Sequence, residues 1–148
     1  MSSWGPSVNL AKSFRAAATL SAFRVVGFDT VTAAQGYVRL IQIPTETTHI
    51  FGISQDSATT DQAFPVASIG YARGAAGASV SSGAILTFAT TTGYLIEAGL
   101  GGTFATTAFS TVGSVMPKQV GIALQTGSAT DAVMEVFLEI SNRRVRVA

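Results

Sequence analysis

At 148 residues and a formal net charge of +1, the chain has room for one domain, or for a domain with an arm. Only 11% of its residues are charged, where an average soluble domain has about 25%. The absence of cysteine excludes a disulfide framework, a thiolate metal site and a cysteine nucleophile.

Near-zero net charge argues against neutralising nucleic-acid phosphates. No apolar run reaches the ~18 residues of a membrane-spanning helix, and the opening MSSWGPSVNLAKSF lacks the unbroken apolar stretch of a secretory signal. Hydrophobic residues make up 47%, which argues against disorder, and the glycines keep no collagen period. Ala, Gly, Ser and Thr supply 71 positions. A small domain with so few charges is poorly equipped to stay soluble alone, so part of its surface is expected to be covered by copies of itself or by a larger assembly.

Residues 1–20 read as an N-terminal arm, extended or partly helical. Asn9 is placed to cap a short helix with Leu10, Phe14 and Ala18 on one face, and an extended arm is the alternative. Trp4 reads as a mobile terminal residue or as an anchor on a neighbour. From Leu20 the texture is that of strands, β-branched and aromatic runs punctuated by Gly, Ser, Thr and Asp. Residues 23–28 (FRVVGF), 36–43 (GYVRLIQI, ended by Pro44) and 49–53 (HIFGI) are the first three. After the polar loop SQDSATTDQ come 64–72 (FPVASIGYA), 84–89 (AILTFA) and 94–98 (YLIEA). The alternation of Val120, Ile122 and Leu124 with Gly121, Ala123 and Gln125 predicts a half-buried strand. The turn TGSATD then leads into a second alternating strand with Met134, Val136, Leu138 and Ile140 on its core face. The two are expected to pair as a hairpin with both apolar stripes inward. The fold expected is mainly β, a small barrel or sandwich over 21–141, with a basic tail at 142–148.

Some strands carry large apolar groups on both faces. In GYVRLIQI these are Tyr37, Ile41 and Ile43 against Val38 and Leu40, and Val133 and Phe137 share the charged face of the last strand. A barrel buries one face of its sheet, so such groups point to a further contact surface or to cover by the chain's own loops.

Catalytic signals are weak. The single histidine, His49, sits in an apolar strand without the further His or Cys that a zinc site needs, and reads as structural. Asp56 and Asp61 share a loop without the ligand density of a calcium hand. Glu135 and Glu139 are too far apart along a strand for paired glycosidase carboxylates. Gly74 and Gly77 have no helix after them to make an anion cradle, and no serine has an activating constellation. The chain is therefore not expected to be an enzyme, and no cofactor or metal is expected. Arg143, Arg144 and Arg146 form a cationic cluster able to grip an acidic surface, or simply a solvated tail.

The order of these signals, from ATLSAFRVVGF through HIFGIS, AFPVASIG, SSGAILTF and GYL to VGIALQTGSATDAVMEVFLEI, resembles the head decoration, or cement, proteins of tailed bacteriophages. The loop after Glu97 and the RRVRV end depart from that pattern. The resemblance implies a structural virion protein on the outer surface of the phage head. It would bind the major capsid protein between capsomers, often as a homotrimer, and stabilise the expanded shell without touching nucleic acid or membrane. The contact residues expected are Trp4, Leu10, Phe14, Tyr37, Arg143, Arg144 and Arg146. The competing expectation is a β-sandwich binding or adhesin module of a virion fibre.

Overall fold

A computed structural model of the protein describes residues 10–29, 39–41, 49–89, 92–98 and 119–141. Among them there are strands and no helix: β1 (Leu10–Ala16), β2 (Val25–Phe28), β3 (Arg39–Ile41), β4 (Ile50–Ser54), β5 (Ala63–Ala75), β6 (Ile85–Phe88), β7 (Leu95–Glu97), β8 (Gln119–Ala123) and β9 (Val133–Ser141). The mainly β barrel expected from the sequence is the fold observed.

The strands form two barrels in tandem. The first runs β1-β3-β2-β4-β5, and the pairing of β1 with β5 closes it. The second runs β5-β9-β8-β6-β7, and a parallel bridge between Ala76 and Leu95 returns β7 to the end of β5. Closure removes the free edges that an open sheet would expose. β5 serves both. Its first half pairs β1 and β4, and its second half pairs β9. Between the halves stands Gly70 at φ 87°, a conformation that a residue with a Cβ adopts only at a steric cost. Proline at Pro65 is tolerated near the start of this strand.

The two barrels are built on one plan. Leu20 bridges Ala58 in the first as Val80 bridges Gly127 in the second. Val25 faces Ile53 as Ile85 faces Ile122, and Ile53 faces Ala67 as Ile122 faces Phe137. Asp61 and Asp131 close equivalent turns at φ 65° and 68°, where short polar side chains are tolerated. Phe23 and Gly83 hold equivalent left-handed positions at φ 61° and 83°. Glycine takes that conformation freely, whereas a bulky aromatic there is strained. The interiors correspond as well. Leu20, Val26, Leu40, Phe64 and Val66 fill the first barrel, and Val80, Leu86, Leu95, Met134 and Val136 occupy the same places in the second.

Gly52 and Gly121 show why each barrel needs a glycine at one point. A Cβ on Gly52 would lie 2.1 Å from the Ala67 carbonyl oxygen, and one on Gly121 would lie 2.1 Å from that of Phe137. The neighbouring strand therefore passes against bare backbone.

Three sequence expectations meet the structure differently. The helix considered around Leu10, Phe14 and Ala18 does not form, since Leu10–Ala16 is extended and hydrogen-bonded to β5 over Leu10 to Arg15. Cross-strand bonds and burial of Ala16 and Leu20 outweigh the weak helical spacing. This part of the expected arm is a stave of the first barrel, so removing it would open that barrel. Second, Met134, Val136 and Leu138 point inward as expected, and Val120 of the facing stripe is buried with them, but Ile122 and Leu124 are not. Val120 and Ala123 are buried, while Ile122 is half-buried and Leu124 is 42% exposed. Across the register shift between Gln119 and Gly121, β8 advances two residues while β9 advances three, and beyond it Ile122 pairs with the outward-facing Phe137 while Ala123 pairs with the inward-facing Val136. Third, of the residues named in GYVRLIQI, Leu40 is buried; Tyr37, Val38 and Ile43 lie outside the described residues.

Val136→Asp should place an unpaired carboxylate inside the second barrel and cost several kcal/mol, a large share of the ~5–15 kcal/mol stability of a domain. Glu135→Ala, on the solvent face, should stay within about 0.5 kcal/mol. Gly121→Ala should destabilise by about 1–3 kcal/mol through overpacking against the Phe137 carbonyl. Thermal melts of the three variants check the order.

Candidate interaction surfaces

Two features stand apart from the barrel interiors: a polar clamp where the barrels meet, and an apolar row on the outside of the second.

The clamp is made of residues from both barrels. The turn before β2 presents Arg24, whose guanidinium lies 3.8 Å from the centroid of the Tyr94 ring. Its Nη2 donates to the Asp131 carboxylate at 2.9 Å, and the Tyr94 hydroxyl donates to the same oxygen. The arginine side chain is only 12% exposed, so its charge is partly desolvated and depends on these partners. Around it the backbone is stitched across. Ala75 N donates to Phe23 O at 2.9 Å and Val25 N to Gly93 O at 2.8 Å. The Gln55 amide donates to Arg73 O at 3.1 Å and its oxygen accepts from Arg73 N at 3.2 Å. The buried Ser54 hydroxyl accepts from Arg24 N and donates to Ser21 O, which holds the turn that carries Arg24. The hydrogen bond from Tyr94, with help from Arg24, keeps the Asp131 carboxyl below the usual carboxylate range. The same bond and partial burial push the Tyr94 phenol up.

Beneath the clamp, Val25, Ile53 and Ala67 lie on the outside of the first barrel but are fully or nearly fully buried, because the second barrel covers them. Gly74 comes close enough to Ile53 that a Cβ there would sit 3.3 Å from its Cδ1.

Among the described residues, nothing covers the outer face of the second barrel in this way. Tyr71 faces Phe137, Phe137 faces Ile122 and Ile122 faces Ile85, one residue from each of β5, β9, β8 and β6. Tyr71 is 55% exposed, and Phe137 and Ile85 are each 37% exposed. The Tyr71 and Phe137 rings meet edge to face at 5.5 Å, a favoured aromatic geometry. Val133 and Leu124 are also exposed, and the Arg73–Glu135 pair, lying between Val133 and the Tyr71–Phe137 row, puts both signs of charge beside that row. The exposure of Val133 and Phe137 agrees with the two-faced pattern legible in the last strand.

The other expected contact residues are distributed less simply. Phe14 is half-buried and packs edge-on against Phe51 at 4.6 Å, so much of its ring is used inside the first barrel. Leu10 starts β1. Trp4, Tyr37, Arg143, Arg144 and Arg146 lie outside the described residues. His49 is exposed and its carbonyl accepts from Phe28 N at 3.2 Å. No group of three metal-ligating side chains occurs among the described residues. A depression of about 270 Å³ lies between Ser81, Ser82, Gly83, Ala84, Ile85 and Glu97. The Glu97 carboxylate there already accepts from Ser81 N at 2.6 Å. No helix among the described residues is long and apolar enough to cross a membrane.

No protein-family model matches the sequence, and no curated protein matches it. The fold does have a match among solved structures. The chain is similar to the N base of head fiber gp8.5 in bacteriophage phi29, with a TM-score of 0.60 over 94% of this chain and 99% of the other, at 11% sequence identity. The likeness spans both barrels and establishes a shared fold.

The clamp carries a pH dependence. Asp131 has its pKa lowered by folding, so its contribution is present above the unfolded value near 4 and is lost as pH falls through the lower folded value. Tyr94 has its pKa raised, so its contribution is present below about 10 and is lost as pH rises through the higher folded value. Asp131→Asn should therefore lower the melting temperature at neutral pH, and the gap to the wild type should shrink as the pH drops below about 4. Melts across pH check it, and Arg24→Ala should show the same convergence.

Proposed function

We propose that the protein is a structural component of a bacteriophage virion, attached to the outside of the head. In this reading it is a decoration protein that binds the major capsid protein between capsomers, associates as a homotrimer and stabilises the expanded shell. The observation that carries the reading is the fold. The tandem-barrel chain superposes over nearly its whole length on the base of a phage head fiber, and its sequence order independently resembles head decoration proteins. The low charge content and the exposed apolar row support a protein that works within an assembly. The Gly/Thr/Phe-rich segment after Glu97 and the basic tail, both departures from the decoration pattern, are in this reading contacts particular to its own shell.

A second reading, a base or binding module of a virion fibre, is favoured by one observation: the structural neighbour is itself the base of a fiber. The two readings share attachment to the head and differ in what the chain carries outward. Catalysis has no part in either.

Purified protein added to expanded heads that lack it should co-sediment in a fixed, saturable stoichiometry, and the decorated heads should resist heat or osmotic shock better than bare ones. Absence of saturable binding to heads, with binding to a glycan array instead, would sink the capsid role and leave the adhesin module. Reversing Arg143, Arg144 and Arg146 to Glu should weaken attachment, and wild-type attachment should soften with added salt. Binding that ignores both changes would return these arginines to a solvated tail.

A further inference from the structure

Within one chain, the same row of positions occurs twice in two different states. In the first barrel it consists of Val25, Ile53 and Ala67, and the second barrel buries it. In the second barrel it consists of Ile85, Ile122 and Phe137, and it is open, with Tyr71 continuing it onto β5. The open row also carries the larger side chains, Phe137 where the covered row has Ala67. The Tyr71–Phe137 pair helps hold β5 to β9 within the chain, yet a contiguous exposed apolar row of this kind is characteristic of a contact surface.

From this equivalence we infer that the outer face of the second barrel is a surface at which copies of this chain meet, their rows converging around the trimer axis. The inference deepens the assembly reading above by naming the face. A barrel of this construction is the kind of body that already fits such a row, and a second copy supplies one. The partner's first barrel does not fit there in the way the second barrel fits over Val25 and Ile53. Where the second barrel offers Ala72 and Gly74 to that contact, the first has Lys12 and Phe14 at the equivalent strand positions, and Lys12 is exposed. Nor can the polar clamp be repeated, because Ala84 stands in the second barrel where Arg24 stands in the first. What remains is contact between equivalent faces. Their margins suit it: Arg73 beside Glu135 presents both charges, so that around a threefold axis the arginine of one copy can meet the glutamate of the next.

The area is of the right order. At roughly 200 Å² for a large apolar side chain, the exposed fractions of this face amount to on the order of 500 Å², the upper range of what monomers leave open.

The test is the mass of the isolated full-length protein by sedimentation equilibrium across micromolar concentrations. Wild type should be oligomeric. Phe137→Lys and Tyr71→Lys should each shift the population toward monomer, with circular dichroism and melting showing the barrels intact. Thr60→Lys, which adds the same charge to an exposed loop of the first barrel, should leave the mass unchanged. A wild-type protein that stays monomeric overturns the inference, and so do folded Phe137→Lys and Tyr71→Lys variants that keep the wild-type mass. Head co-sedimentation, read separately, distinguishes the outcomes for the assembly reading. A monomeric wild type whose head binding is lost in Phe137→Lys would assign the row to the shell and not to a second copy. An oligomeric wild type that ignores heads would keep this face and remove the head attachment.

Discussion

The construction hangs on β5. This strand of thirteen residues belongs to both barrels, and its hydrogen bonding passes from β1 and β4 on one half to β9 on the other. Because the strand runs on without a linker, the second barrel cannot drift from the first. It is delivered against Val25, Ile53 and Ala67, and burial of that row completes the joint. Gly70 at the midpoint takes a backbone conformation that lets the strand change partners without breaking. The joint thus has a backbone cause and an apolar consequence, and the Arg24–Tyr94–Asp131 clamp sits at its edge.

The tandem plan also accounts for the asymmetry that matters for assembly. Equivalent positions diverge according to what lies outside them. Ser54 and Arg24 serve the joint in the first barrel, and their counterparts Ala123 and Ala84 have no joint to serve. Ala72, Gly74 and Ala75 are small or absent side chains where the second barrel leans on the first, whereas Lys12, Phe14 and Arg15 stand at the same places on the free side of the first barrel. The barrel interiors, which face the same packing problem twice, remain alike in size and chemistry. The outer surfaces do not: the row on the first barrel is covered by the second barrel, and the equivalent row on the second is not.

The candidate surface was partly legible in the residues. Val133 and Phe137 alternate with Met134, Val136 and Leu138, so period two alone places them on the solvent face with Glu135. Ile122 and Leu124 were not legible in the same way. Their alternation with Gly121 and Ala123 puts the larger side chains inward on local grounds, and only the pairing of Ile122 with the outward-facing Phe137 reverses that. The clamp was not legible at all, because Arg24, Tyr94 and Asp131 come from three separate turns. The duplication left small traces, Gly-Ile at 52–53 and 121–122 and an aspartate closing each following turn, too short to stand out against a chain so rich in small residues.

By itself the sequence determined the β class, the position of nearly every strand and the inward face of β9, because these depend on local periodicity, β-branched content and turn chemistry that act within a few residues. It also determined the low charge content of the chain. Only the tertiary structure decided that residues 10–16 are a stave and not a helix, since the choice rests on hydrogen bonds to β5 some fifty residues away. It decided too that the strands close into two barrels, and that one apolar row is covered while its equivalent is open. Those facts depend on which distant backbone each strand meets, and local periodicity carries no information about that meeting.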